Sequence, residues 1–160
     1  MKKMNKRCSI KHDGVPPVCP MNEQAVKPIG RITVESLVNP EIQSDLLPQP
    51  YYFCNAPDCD TVYVSALGEH LISKDQLSVR VGIKEQEDPI PICYCFNYDR
   101  QTIQADFRNK GSTEIPKIIT ARVKAGECQC EVTNPSGTCC LGDVSRAVKQ
   151  AEAMHQQGLL

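Results

Sequence analysis

The pattern of apolar positions divides the chain into a first half of short β-strands and a second half of helices. Aromatic and β-branched residues fill 51–53 and 61–64, and the turn-rich segment 55–58 lies between them, which predicts a β-hairpin. The β-branched residues of 32–38 predict a short strand, and apolar-polar alternation over 77–83 predicts another. The first half is therefore expected to be rich in β-structure.

Three helices are predicted in the second half, over 99–110, 113–125 and 142–157. Asp99 is expected to cap the first of them, and Gly111 to end it. Ser112 or Thr113 is expected to cap the second, and its Pro116 falls in the first turn, where proline is tolerated. The apolar residues of the last helix recur at the spacing of one helical face.

The charged segment 84–91, which contains two prolines, predicts a linker between the halves. We therefore expect an α+β protein in three parts: a flexible basic tail over 1–18, a small β-rich domain over 19–86 and a helical domain over 87–160. Halves of about 70 residues have marginal hydrophobic cores, and bound metal often stabilises domains of this size.

Cysteine is the residue type that adds chemistry to this outline, because the 160-residue chain has 10 of them. The basic start of the chain lacks the apolar core of a signal peptide, and no segment approaches the roughly 20 apolar residues of a spanning helix. We therefore expect a cytoplasmic protein without membrane insertion. In that compartment thiols serve as metal ligands or redox groups rather than as disulfides.

Six cysteines of the second half predict an iron–sulfur site. Cys93 and Cys95 precede the first predicted helix, and the other four precede the last one. A 2Fe–2S cluster takes four thiolates, two on each iron, so the two close cysteines can bind one iron and two later ones the other. Zinc accepts the same ligands. The spacing leaves the later ligands open: Cys128 or Cys130, and Cys139 or Cys140.

The first half predicts a zinc site of ribbon type. Cys54 and Cys59 flank the tip of the predicted hairpin, which is the arrangement of a zinc knuckle. A zinc ion with four protein thiolates has no open position, so such a site would be structural.

Several segments carry the pattern of a known family: PICYCF (91–96), CEVTNPSGTCCLG (130–142), YFC (52–54) with Cys59, and RVGIKE (80–85). They resemble the N-terminal iron–sulfur and zinc domain of the CopZ-type copper chaperones, whose cluster half is similar to the bacterioferritin-associated ferredoxins. The resemblance covers roughly residues 19 to 144. Its most specific motif is VTNPSG followed by two cysteines.

The resemblance implies four thiolate ligands for the 2Fe–2S cluster: Cys93, Cys95, Cys130 and Cys140. Cys128 and Cys139 then have no assigned role. The simplest interpretation is that these two are small buried residues, and the alternatives are redox-active thiols or substitute ligands.

The resemblance also implies that Cys19 begins the second knuckle of the zinc site. The family usually has Cys-Pro-x-Cys at this point, whereas this chain has Asn22 at the second cysteine position. The fourth ligand is therefore expected from Cys8, with His12 or water as the alternatives. The complete expected set is Cys8, Cys19, Cys54 and Cys59.

Together these sites predict a one-electron redox or metallochaperone accessory protein. The resemblance extends this role to copper or heavy-metal homeostasis. The expected partners are a redox donor and a metal-handling protein such as a chaperone or transporter, and the net charge of -1 argues against nucleic acid. The chain lacks the Met-x-Cys-x-x-Cys loop of soft-metal transfer. No catalytic residues are predicted, which leaves reduction of a metal ion as the one enzyme activity considered. The alternatives are a non-redox zinc-binding docking module and a sensor or carrier with a labile cluster.

Overall fold

The computed structural model describes residues 17–160. Most of the predicted basic tail, including Cys8 and His12, lies outside the described residues. The described chain combines helices with an antiparallel sheet, which confirms the predicted mixture of α and β structure. No helix within 17–160 is long and apolar enough to cross a membrane.

A four-stranded antiparallel sheet forms the centre of the first half, with the strands in chain order. Its strands are β1 (Lys27–Ile29), β2 (Tyr51–Phe53), β3 (Thr61–Ser65) and β4 (Leu71–Ser73). Strands β2 and β3 are the predicted hairpin, in which Tyr52 lies opposite Val64. Buried aliphatic and aromatic side chains cover one face of this sheet and form the core of the first half.

The strand predicted over 32–38 is wrong, because this segment forms helix α1 (Arg31–Leu37). Val34 and Leu37 lie three positions apart and are both buried in the core of the first half. Packing of this helical face overrides the modest β preference of branched residues.

The strand predicted over 77–83 is also wrong. Leu77 makes a single antiparallel bridge with Val38, and Gly82–Lys84 is a 3₁₀ turn. Leu77 and Val81 are buried, so the apolar alternation reflects burial of an irregular segment rather than membership of the sheet.

Helices dominate the second half as predicted. The elements are β5 (Pro91–Cys93), β6 (Tyr98–Asp99), α2 (Arg100–Lys110), α3 (Ile115–Lys124), α4 (Cys130–Thr133) and α5 (Leu141–Gln156). Asp99 caps α2 by accepting a hydrogen bond from the Thr102 amide at 2.8 Å, and Gly111 ends the helix with φ +71°. The N-cap of α3 is Glu114, and Thr113 instead accepts a hydrogen bond from the Ile115 amide at 3.2 Å.

The two halves touch each other directly on either side of the segment 84–91. Helix α4 packs against α1, and the Tyr63 hydroxyl donates a hydrogen bond to the carbonyl oxygen of Pro135 at 2.7 Å. The first residue of the predicted linker, Lys84, is only 4% exposed. This segment therefore begins inside the packed first half, although its charge and prolines predict a linker.

Candidate metal centres

Three cysteines of the first half form a group with the spacing of metal ligands. The sulfur atoms of Cys19, Cys54 and Cys59 lie within 4.8 Å of one another, and those of Cys19 and Cys59 are 3.9 Å apart. Zinc–sulfur bonds of about 2.3 Å in a tetrahedron place two sulfur atoms about 3.8 Å apart. The residues therefore fit a zinc ion.

Two loops position these three thiols. Cys54 follows directly after β2, and its amide donates to the Val62 carbonyl at 2.8 Å, so the hairpin holds it in place. Cys59 closes the hairpin tip by donating from its amide to Ala56 at 3.4 Å. The carbonyl oxygen of Cys19 accepts a hydrogen bond from the Glu23 amide at 2.8 Å, which folds a tight turn around the third ligand.

Asn22 also reaches this group, at the position where the family has a cysteine. Its Nδ2 atom donates to the Cys54 sulfur at 3.4 Å, and its Oδ1 atom accepts from the Gln24 amide at 2.9 Å. Asn22 therefore acts as a hydrogen-bond donor to a thiolate. Within the described residues, three thiols contribute to the group.

A buried cation lies beside the three thiols. The Nζ atom of Lys84 donates to the carbonyl oxygens of Ala56 and Cys59, both at 2.8 Å. Burial alone would raise the pKa of the Cys54 thiol, but the Ala56 amide, Asn22 and Lys84 together lower it. Burial raises the pKa of the Cys19 thiol. The group thus combines thiols that must lose protons on binding metal with a cation that compensates their charge.

The cysteines of the second half form two close pairs of sulfur atoms. Cys93 and Cys140 lie 3.1 Å apart, and Cys95 and Cys130 lie 3.5 Å apart. Both separations are too long for a disulfide, at about 2.05 Å, and approach the about 3.8 Å between two sulfur ligands of one metal ion. All cysteines within 17–160 are free thiols.

Three of these four thiols lie at the end of a secondary-structure element, and the fourth lies in a turn. Cys93 ends β5, and Cys95 lies in the turn that leads to β6. Cys130 begins α4, and Cys140 is the N-cap of α5, as its predicted position before the last helix indicated. Amide groups at helix N-termini favour bound negative charge, which suits thiolates and an anionic cluster.

Hydrogen bonds connect the four thiols to each other and to neighbouring polar groups. The Gln129 amide donates to the Cys95 sulfur at 3.1 Å, and the Thr133 hydroxyl lies 3.2 Å from it. The hydrogen bond between Cys93 and Cys140 lowers the pKa of Cys93 and raises that of Cys140, so Cys93 loses its proton first. Burial raises the pKa of Cys130 to about 12.

Arg122 supplies positive charge near this site. Its guanidinium lies 3.9 Å from the centre of the ring of Phe96, the residue that follows Cys95. The positive charge of Arg122 also contributes to the lowered pKa of Cys93. Four thiols in two close pairs, amide donors and a nearby cation fit a thiolate-bound iron–sulfur cluster.

That Cys93 and Cys95 share one iron stays a prediction, because the close pairs are contacts between free thiols. Each close pair joins one cysteine of the 93–95 motif to one cysteine of the later loop. The reason is that the chain turns between β5 and β6, which brings each of the two thiols near a different helix start.

The remaining two cysteines differ from the simplest interpretation, which expected both to be buried. Cys128 is half-buried, and Cys139 is exposed. Cys139 lies next to Cys140 in the chain but faces solvent, so it is accessible to reagents and metal ions.

Comparison with known proteins supports the family pattern. The family model of the CopZ zinc-binding domain matches residues 16–78. The structure superimposes on the X-ray structure of the *Archaeoglobus fulgidus* CopZ N-terminal domain with a TM-score of 0.68 at 30% identity, covering 81% of this chain and 96% of that one. The chain belongs to the CopZ-type N-terminal domains. Its first half is a CopZ-like zinc-binding domain with a three-cysteine group.

The copper chaperone CopZ of *Archaeoglobus fulgidus* is also similar in sequence, with 38% identity over 90 residues. The match covers 56% of this chain and 42% of that relative. This chain therefore matches less than half of the length of the CopZ chaperone.

Sequence reasoning missed two residues that bear on these sites. Lys84 lies in the quoted motif RVGIKE, but the sequence places it at the start of the predicted linker. Thr133 lies in the motif VTNPSG, yet a threonine at this point of the motif gives no signal that its hydroxyl lies beside Cys95. Both contacts depend on the meeting of distant segments, which spacing along the chain does not reveal.

Proposed function

We propose that the chain is an iron–sulfur and zinc protein that transfers one electron at a time in copper or heavy-metal homeostasis. The observation that carries the proposal is the pair of close sulfur contacts, Cys93 with Cys140 and Cys95 with Cys130. These contacts gather four thiols from two distant segments, as a 2Fe–2S cluster requires.

The four proposed ligands are Cys93, Cys95, Cys130 and Cys140. The bound cluster would supply reversible one-electron redox chemistry. The chain's own residues shape that chemistry: Gln129 and Thr133 contribute hydrogen bonds at the Cys95 sulfur, and Arg122 adds positive charge. Burial of Cys93 and Cys140 keeps water from half of the ligand set.

The proposed role of zinc is structural. Cys19, Cys54 and Cys59 hold it, and Cys8 completes the tetrahedron, with His12 or water as the alternatives. A closed zinc site stabilises a small domain and leaves no position for substrate.

The proposed substrate is a copper ion, because the chain resembles a copper chaperone. One electron from the reduced protein converts Cu(II) to Cu(I), the form that thiolate and thioether ligands favour. A redox donor then supplies a new electron and reduces the protein again. The expected acceptor of the Cu(I) product is a separate metal-handling protein, since the chain has no Met-x-Cys-x-x-Cys loop.

The test is a single-turnover experiment without oxygen. The protein is reduced, freed of excess reductant and mixed with Cu(II) in the presence of a chelator specific for Cu(I). The control is the same cluster-loaded protein in its oxidised form, because it carries the same thiols, which also reduce Cu(II), but no electron on the cluster. We expect the reduced protein to form about one Cu(I) per cluster more than this control, together with return of the oxidised visible spectrum. Equal amounts of Cu(I) from both samples would overturn the proposal.

A labile-cluster sensor or carrier is the second candidate, and the exposure of Cys139 beside Cys140 favours it. An exposed thiol next to a ligand can replace it during cluster release. A cluster that is lost within minutes in air, and more slowly in Cys139→Ala, would favour this candidate. A cluster that is stable in air in both proteins would exclude it.

A further inference from the structure

The segment that carries Cys130 and Cys140 is hydrogen-bonded through a tyrosine to the first half of the chain, which contains the three-cysteine group and is called the zinc half below. Tyr63 of β3 is 0% exposed, and its hydroxyl donates to the Pro135 carbonyl oxygen at 2.7 Å. Pro135 is itself fully buried. Burial raises the pKa of Tyr63, so the hydroxyl keeps its proton and remains a donor.

The loop that contains Pro135 is closed by its own hydrogen bonds. Asn134 donates from Nδ2 to the Thr138 carbonyl at 3.0 Å and accepts from the Ser136 amide at 3.0 Å. The Gly137 amide donates to the Asn134 carbonyl at 2.8 Å. Because the loop is cross-linked in this way, one contact at Pro135 fixes the whole segment between the two cysteines.

The fit of this loop against the zinc half is close. Gly137 has φ +68°, and a Cβ atom there would lie 2.8 Å from Ile29 Cδ1 and 3.1 Å from Thr33 Oγ1. Ile29 ends β1, and Thr33 is a buried residue of α1. The loop therefore rests on the first strand and first helix of the zinc half.

The segment that carries Cys93 and Cys95 is bonded to the zinc half in the same manner. Tyr94, between them, donates from its hydroxyl to the Arg80 carbonyl at 2.7 Å and accepts from the Gly82 amide at 2.9 Å. A Cβ atom on Gly82 would overlap the Pro91 carbonyl oxygen, so the two backbones touch.

We propose that Tyr63 and Tyr94 are positioning residues, whose hydroxyl groups hold both cluster-ligand segments on the zinc half. The zinc half is then the platform that sets the relative placement of the four thiols. This inference rests on the proposed cluster, and it predicts that the cluster senses a change made in the zinc half.

The test compares phenylalanine variants that each remove one hydroxyl group. Tyr63→Phe is matched by Tyr51→Phe, because Tyr51 is also buried and its hydroxyl bonds only within the zinc half, to Leu47 and His70 at 2.9 and 2.8 Å. Tyr94→Phe is matched by Tyr98→Phe, because the Tyr98 hydroxyl has no hydrogen-bond partner among residues 17–160.

Cluster-loaded proteins are mixed with an iron chelator, and the rate of cluster loss and the visible circular dichroism spectrum are recorded. We expect about tenfold faster loss and an altered spectrum for Tyr63→Phe and Tyr94→Phe, with full zinc content. Tyr63→Phe loses a buried hydrogen bond to Pro135, and Tyr94→Phe loses its hydrogen bonds to both Arg80 and Gly82. Both controls should stay within about twofold of wild type. The spectrum reports ligand geometry, which general destabilisation of the fold does not change.

The inference is overturned if Tyr63→Phe has the same effect as Tyr51→Phe, and Tyr94→Phe the same effect as Tyr98→Phe. The proposed function would stand in that case. A wild-type protein that takes up no iron and sulfide would overturn the proposed function together with the inference. If Tyr63→Phe does not fold, the comparison of Tyr94→Phe with Tyr98→Phe decides the question.

Discussion

Lys84 donates a hydrogen bond from its ammonium group to the carbonyl oxygen of Cys59 at 2.8 Å, although Lys84 is only 4% exposed. A buried charge is costly unless it is paired and hydrogen-bonded. Zinc carries a net charge of about −1 with three thiolates and about −2 with a fourth from Cys8, and one ammonium group offsets part of this charge. Lys84 therefore compensates charge at the metal and fastens the hairpin tip that carries two ligands.

Replacing Lys84 tests this relationship. Lys84→Met keeps most of the side-chain volume but removes the charge and leaves two carbonyl oxygens without their donor. We expect zinc affinity, measured by competition with a chelator, to fall about tenfold or more. Lys74→Met is the matched control, because Lys74 is partly exposed and lies 3.8 Å from Asp60 rather than against the site. Equal affinity of Lys84→Met and wild type would contradict this role.

The fourth zinc ligand is tested by a loss and a rescue. We expect Cys8→Ala to weaken zinc binding at least tenfold and Asn22→Cys, made in the same chain, to restore it. The rescue is expected because Asn22 Nδ2 lies 3.4 Å from the Cys54 sulfur, within the range of a ligand group. Chelator competition and the charge-transfer bands of the cobalt-substituted protein measure both steps. Unchanged zinc affinity in Cys8→Ala would show that His12, water or another group completes the site.

Single alanine substitutions test the cluster ligands. Cys93→Ala and Cys140→Ala each remove one sulfur of a close pair, so we expect both to lose the visible spectrum of the cluster. Cys139→Ala is the matched control, because it alters the residue next to Cys140 and should keep the spectrum. The measurement is the ratio of iron and sulfide to protein after reconstitution. Loss of the cluster in all three variants would refute the assignment.

The ion pair between Asp88 and Arg100 gives a pH-dependent prediction. The two side chains form two hydrogen bonds, at 3.0 and 2.8 Å, and Arg100 lowers the pKa of Asp88 below its ordinary value. Asp88→Asn should lower the free energy of unfolding at pH 7 by about 0.5 kcal/mol, a small value because the pair is partly exposed and screened.

The sign of this dependence follows from the lowered pKa. The unfolded chain binds the proton more tightly, so the pair stabilises the fold above about pH 4 and this contribution is lost as pH falls through the folded-state pKa. Urea unfolding of metal-free wild type and Asp88→Asn measures the difference at pH 7 and near pH 3. A difference of the same size at both values would contradict the prediction.

Local signals in the sequence were sufficient for the hairpin and the long helices. Asp99 and Gly111 bound α2 because capping and left-handed conformations depend on neighbouring residues alone. The segment 32–38 was misassigned because burial of Val34 and Leu37 against the sheet decides its conformation.

At the candidate sites, too, some features depend on local sequence and others on contacts between distant segments. Spacing identified which cysteines are candidates, but the contacts of Cys93 with Cys140 and of Lys84 with Cys59 join residues far apart in the chain. Such contacts depend on how distant segments pack within each half, and no local pattern encodes them.

We propose that this chain holds a 2Fe–2S cluster and a zinc ion at separate sites. The most direct measurement is a visible spectrum of protein purified without oxygen, with iron, sulfide and zinc assayed on the same sample. We predict a brown protein with about two irons, two sulfides and one zinc per chain. A colourless protein with about two zinc ions, obtained even when cluster assembly is supported during expression, would contradict it and leave a zinc-dependent docking module.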